Sequence, residues 1–515
     1  MKWSLKKKEP PQPQSVPLYQ LILENLDENN RLPDDFSFPQ AGSPNEIRFA
    51  AGAMDGIGVY HMAAQDTAQQ ASQLAALLEQ ACEQFNDQIK SEIELFLKEN
   101  RVLHMIDPLI EYIRNGHTKI TPASLKQAAF ELMTGSDDVE SVKLGIAMTG
   151  ILNIEDEPDC RKGILTLGKS DEFTLYSLVA VSGWKDGNDI IFQYAREMRG
   201  WGKIHAVERL EPSTEEIRDW LICSGCKNDI VDSYLGLTCA DKGRLSEYLQ
   251  RKVLPDEYLE GAGIILSAML DEGPSPGMSA YEEGPDVIRN YLCHVHQLSS
   301  LKALRVVLEL RAWIRDSEWP EKEELLLLCN QITSRPEWPG IIIKSIVPGN
   351  NTELWRAVYA AQCMELDIAS SLFQVIKSDP MEYYNYISGL CRNPDYAQDV
   401  FRLYEQCLPL QDIAAGMGEL MGMGAEFRAH SCLDFLLQEL SHYPGEGITL
   451  IRTGLHSPVV RNRNTALKAL AAWSSLDYSL AEHTPDILEL LDQLRTDEVN
   501  DTTKENIETL LNQYK

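Results

Sequence analysis

A recurring helical phrase limits this chain more than any other feature: an apolar helix, a short polar break, then a second helix rich in small residues. It is plainest at 456–470, where His456-Ser457-Pro458-Val459 leads into Ala466-Leu467-Lys468-Ala469-Leu470. A single helical hairpin cannot bury both its faces, so such units must stack on neighbours, and a run of them builds an elongated superhelix. The phrase recurs at 139–147, 173–180, 203–210 and 230–237, and its small residues Gly145, Ala180, Ala206 and Gly236 come 26 to 35 positions apart. Small residues at those points let neighbouring helices approach closely, and the uneven spacing marks the repeats as degenerate. Strand signals are few, and Gly340-Ile341-Ile342-Ile343 reads as a buried helix. The expected fold is all-α, a right-handed α-solenoid of degenerate helical hairpins.

The same pattern divides the chain. Residues 1–44 form a Pro-rich irregular lead-in with one short helix at 18–26. N-terminal helices follow over 45–120, with one long helix or two closely joined ones across 65–100. Repeats occupy 121–270, opening at Thr121-Pro122, an N-cap with proline in the first turn. A further capping box at Ser213-Thr214-Glu215-Glu216 opens an amphipathic helix. The Gly/Pro-rich stretch 271–286 reads as a linker or long loop, and 287–515 resumes the repeats. The last helix, with Ile507, Leu510, Leu511 and Tyr514 on one face and a capping box at Thr502-Thr503-Lys504-Glu505, has the polar outer face of a terminal cap.

Charge bears on partners. With 78 acidic and 47 basic residues the net charge is -31, and beyond the first eight residues no basic stripe appears. A phosphate backbone would be repelled, which disfavours nucleic acid, whereas a basic protein or peptide partner would suit the acidity. No window approaches the roughly eighteen unbroken apolar residues that a membrane span needs. Met1-Lys2-Trp3-Ser4-Leu5-Lys6-Lys7-Lys8 runs into a Pro/Gln stretch instead of an apolar secretory core. The 11 cysteines, an odd number set mostly in apolar helical stretches, fit reduced buried thiols and a cytoplasmic location.

Two resemblances follow from particular residues. The block ending at Ala466-Leu467-Lys468-Ala469-Leu470, with a proline near the helix start and an arginine before the Ala/Leu face, resembles a HEAT or armadillo repeat, and Glu46-Ile47-Arg48-Phe49-Ala50-Ala51 is similar. That resemblance implies a concave groove lined by inner helices, on which proteins or peptides bind, and hence a non-enzymatic scaffold. Residues 201–210 with Glu216-Ile217-Arg218-Asp219-Trp220-Leu221 are similar to bacterial proteins labelled limonene hydroxylase. That label implies an oxidoreductase, a monooxygenase, needing an oxygen-activating centre. No haem-thiolate loop, strand-associated Gly-x-Gly-x-x-Gly or pair of Glu-x-x-His helices is visible, so no cofactor is expected.

Candidate binding residues form two groups. Arg48, Asp55 and His61 span the Ala/Gly-rich segment 52–58, where the backbone is unusually approachable. Trp201, His205, Glu208 and Arg209 form a polar-aromatic group with His205 and Arg209 one helical turn apart. Both groups read either as ligand contacts on the groove or as a hydrogen-bond ladder with an exposed ion pair. Cys223-Ser224-Gly225-Cys226 has the spacing of a thiolate knuckle, with Cys239 and Cys293-His294-Val295-His296 as further donors. The competing reading makes Gly225 a helix C-cap and the spacing incidental. His294 and His296, two apart on a helix, point in different directions. The glycines of 416–424 lack the strand and the terminal Lys-Ser/Thr of a phosphate loop and suit close helix contact or a soft Met-lined surface. No Ser-His-Asp order, His-Glu-x-x-His or paired-carboxylate signature is present.

Overall fold

The computed structural model describes residues 16–39, 49–63, 66–152, 154–273 and 275–513. Arg48, residues 1–15 and 40–44 of the lead-in, and Tyr514 lie outside them. The described residues are all-α: thirty helices succeed one another, and no strand is present apart from one isolated bridge between Leu420 and Val459. No helix among them is long and apolar enough to cross a membrane.

The chain divides into two compact units. One runs through Leu298 and includes Val306–Ile332; the other comprises Ser299–Arg305 and everything from Thr333. The division falls beyond the Gly/Pro-rich stretch 271–286, which belongs to the first unit. There the Glu272 carboxylate accepts hydrogen bonds from the Ser279 backbone and hydroxyl. Met278 and Tyr281 are buried, so this segment is packed structure.

In the first unit, local chemistry sets each helix and small residues set how they pack. Ala68–Glu83 and Asp87–Glu99 are separate helices because Asn86 caps the second, accepting from Gln88 N and Ile89 N at 3.0 and 3.1 Å. Thr121 caps Pro122–Gly135 with proline at the first position. A three-residue turn follows, and Asp138 caps Val139–Gly150 through Ser141 N. These two helices pack at close range: a Cβ on Gly145 would lie 2.5 Å from Met133 N and 2.8 Å from Ala129 O. Val139–Gly150 in turn packs on Asp171–Val181, and Asp171–Val181 on Trp201–Arg209, while Gly187–Glu197 backs the last. The three that touch in succession begin about thirty residues apart, the period that the small residues marked.

Asp171–Val181 buries eight of its eleven residues, so its polar side chains must find partners inside. Thr174 Oγ1 donates to Gly168 O at 2.9 Å and Ser177 Oγ to Ile164 O at 3.1 Å. Trp201–Arg209 is closed at its C-terminal end by Lys242, whose ammonium donates to the carbonyls of Glu208 and Leu210 at 2.6 and 2.9 Å.

In the second unit the block 456–470 is the hairpin of Ile448–Leu455 and Val460–Ser474, with Arg428–Leu440 against it. Of the block's two arginines, Arg463 is fully buried and grips Glu498 through two bonds of 2.8 Å. The guanidinium also donates to Ser457 O at 2.6 Å and Gly418 O at 2.8 Å.

Three local expectations change. Gly340–Ile343 lies in Trp338–Ser345, but only Ile342 of the three isoleucines is buried and Ile343 is exposed. The last helix, Asp501–Asn512, starts two positions earlier than the Thr502 box requires; Asn500 is its cap, accepting from Thr503 N at 3.1 Å. The amphipathic helix after Thr214 ends at Trp220 and continues as a π-turn, Leu221–Gly225.

Candidate functional site

The helix Ala53–His61 brings the two sequence-separated groups of candidates together in the first unit. It begins after Gly52, whose φ of 73° is left-handed, a conformation that glycine adopts without a Cβ penalty. Space demands glycine there as well, since a Cβ would lie 2.5 Å from Asp171 O. One turn on, a Cβ at Gly56 would overlap the Trp201 ring. The Ala/Gly-rich segment is therefore where Trp201 lies directly against backbone.

Charge concentrates below that helix. Lys143 is fully buried, with its ammonium 2.7 Å from Asp55 Oδ2, 2.7 Å from Glu172 Oε1 and 3.3 Å from Glu140 Oε1. Burial pulls the lysine pKa down, but the Glu172, Glu140 and Asp55 carboxylates outweigh it and hold the amine above its ordinary value. Burial would raise Glu172; Lys143 and the Gly52 N–H, 2.9 Å away, reverse that and keep its carboxyl low. Arg101 lies 3.5 Å from Glu140, and the Tyr176 hydroxyl faces Asp55 at 3.4 Å. Next to Glu172, Asp171 accepts from Gly202 N at 2.7 Å. Burial raises its carboxyl to about 6, with the Gly202 N–H offsetting only part of the shift.

The second half is aromatic. The rings of Tyr60 and Tyr234 are 4.5 Å apart, and Trp201 lies 5.2 Å from Tyr234 and 6.0 Å from Tyr60. These spacings are of rings packed on one another. The Tyr60 hydroxyl donates to Glu208, and His61 Nε2 meets the Tyr234 hydroxyl at 2.7 Å. Burial would raise Glu208, but His205, the Tyr60 hydroxyl and Arg209 together bring its carboxyl below the usual range. The same Glu208 and the burial of the ring push Tyr60 well up, so it stays a neutral donor.

Each candidate thus has a place. Asp55 is buried in the lysine cluster and His61 is exposed at the helix end. Trp201 is buried between the aromatic rings and Gly56. His205 is buried with neither ring nitrogen hydrogen-bonded, and its Nδ1 is 3.9 Å from Glu208 Oε2. Arg209 is both ladder and ion pair: it donates to His205 O at 3.1 Å and lies 3.8 Å from Glu208. Sequence reasoning did not find Lys143, Glu140, Asp171, Glu172, Tyr60 or Tyr234. Lys143 carried a signal, a single cation inside the apolar run Val142-Lys143-Leu144.

The other candidates do different work. Cys223 is half-buried with its thiol pushed up to about 11 by burial, and Cys226 is buried, its thiol raised the same way and facing Asp232 O at 3.5 Å. Among the described residues no three His, Cys, Asp or Glu side chains are grouped so as to hold a metal. Gly225 does not cap a helix; its φ is not positive, and it packs where a Cβ would meet Cys239 Sγ at 3.0 Å. His294 Nε2 pairs with Leu249 O at 3.0 Å. Around the bridge at Leu420, Gly418 approaches Pro458, and Gly416, Gly422 and Gly424 take positive φ. Exposed Met421 and Met423 flank a shallow depression of about 390 Å³ with Glu419 and Arg461.

The chain matches no protein-family model and no curated protein.

Proposed function

We propose that this protein is a non-enzymatic, HEAT-like cytoplasmic scaffold that binds a protein or peptide partner. The contact surface is the one lined by Val139–Gly150, Asp171–Val181 and Trp201–Arg209. One observation carries the reading: these three helices, with Tyr234 of the short turn Asp232–Tyr234 against Trp201, already hold a separate helix, Ala53–His61, through fixed polar and aromatic side chains. A surface that recognises one helix by its side chains is built for recognition. All eleven cysteines are free and six are buried, which supports a reducing compartment. The test is affinity capture with the full chain, with Tyr234→Ala on this surface and with exposed Arg402→Ala in the second unit as control. A partner recovered at constant stoichiometry by wild type and Arg402→Ala, and lost with Tyr234→Ala, supports the reading. Identical recovery by all three, or no partner at all, overturns it.

A further inference from the structure

The helix Ala53–His61 is held unlike its neighbours. It buries only Ala53, Asp55 and Gly56, whereas Val139–Gly150 buries Val142, Leu144, Ile146 and Met148 among others. Its apolar surroundings point outward: Phe49, Val59 and Met62 are 56%, 46% and 49% exposed. A helix of nine residues is marginal in water on its own, so its seat must hold it, and the seat holds it by polar anchors together with the packing of Tyr60 and Gly56 on Trp201 and Tyr234. Gly52 N–H reaches Glu172, Asp55 reaches Lys143, Tyr60 reaches Glu208 and His61 reaches Tyr234. Elements with so little buried apolar surface open locally at the lowest free energy in a fold.

The seat is also self-sufficient in charge. Without Asp55, Lys143 retains Glu172 and Glu140, and Glu140 retains Arg101. Two cations then face two carboxylates, so departure of the helix leaves no unpaired ion.

We infer that this seat is a peptide-docking groove whose resident occupant, residues 49–62, is a displaceable intramolecular ligand. The incoming partner is a helical peptide of the resident's own chemistry, Asp-Gly-x-x-x-Tyr: a carboxylate for Lys143, a glycine to admit Trp201 and a hydroxyl donor for Glu208. The inference rests on the peptide-binding reading of this surface and adds the chemistry of the partner and control by self-occupation.

A fluorescently labelled peptide of residues 49–62 tests it against the full chain by anisotropy. Wild type should bind weakly, because its groove is filled. The double variant Asp55→Asn/Tyr60→Phe, with a loosened resident, should bind about tenfold more tightly, the gain expected when the competent fraction rises by that factor. A peptide with Asp55→Ala should lose that binding. Hydrogen exchange on the same samples keeps the result interpretable: amides of 53–61 should exchange faster in the double variant while those of 139–150 stay unchanged. Absence of peptide binding to both proteins overturns the inference, as does exchange over 53–61 as slow as over 139–150 in wild type. Binding in trans alongside an empty capture experiment supports the groove and counts against the scaffold reading, so the two failures are separable.

Discussion

The two units each bury an ion cluster, and the clusters are built on opposite plans. In the second unit Arg463 meets one carboxylate, Glu498, bidentately, with both side chains out of contact with solvent. The partners are 35 positions apart, and the remaining guanidinium bonds go to nearby carbonyls. In the first unit Lys143 is a point charge shared by three carboxylates, two of them partly reached by solvent. Contacts to this region from the helix Ala53–His61 and its leading glycine reach far along the chain, with 120 positions from Gly52 to Glu172 and 148 from Tyr60 to Glu208. A matched planar pair locks two neighbouring hairpins, and its geometry tolerates no exchange. A lysine with surplus carboxylates can lose one and stay paired, which suits a junction that opens.

The largest expected effects break the two clusters in turn. Glu498→Ala leaves a guanidinium that cannot deprotonate, and it should destabilise the second unit by about 3–5 kcal/mol at pH 7 and at pH 5 alike. Lys143→Met should destabilise the first unit to a similar degree near pH 7, but its stranded carboxylates can take up protons. Their folded-state pKa values would then lie above the unfolded ones, so stability lost at pH 7 should return as pH falls towards 5. Denaturant unfolding at the two pH values separates these behaviours, and equal pH response in both variants would remove the contrast.

A smaller effect concerns Asp171. Its folded pKa, about 6, exceeds the unfolded value of about 3.9, so the folded chain holds the proton more tightly. The contribution to stability is present in full below about pH 4 and declines as pH rises through about 6. Asp171→Asn keeps an acceptor for Gly202 N–H and should flatten that decline, worth about 3 kcal/mol at most. Melting temperatures from pH 4 to 8 for wild type and variant check it. The smallest effect is Tyr60→Phe, which removes one hydrogen bond to Glu208 and should weaken the seating of Ala53–His61 by about 1 kcal/mol. The change should appear as faster exchange over 53–61 and not as a shift in global melting.

Much of the helical plan was legible because its causes are local. Thr121, read as a cap, stands beside the amide that it caps, and Gly145 occurs where one helix crosses another; Asn86 and Asp138 cap in the same way but went unread. The Gly52–Gly58 segment was visible as approachable backbone. What approaches it, the Trp201 ring, was not, because nothing in either segment names the other. Lys143 was passed over for a related reason: a lysine within an apolar run reads as a solvated interruption until its counter-ions are known. The Thr502 box failed because Asn500 caps the helix two positions earlier, accepting from Thr503 N.

By itself, then, the amino-acid order determined an all-α chain of capped hairpins with small residues at the crossings, because capping, periodicity and close approach are written within a few positions. The tertiary structure alone decided that Asp55, Lys143 and Glu172 share one buried site and that Tyr60 finds Glu208. Pairing between residues so far apart in sequence depends on which helices stack beside which. That stacking follows from the summed burial of many side chains and from no single motif.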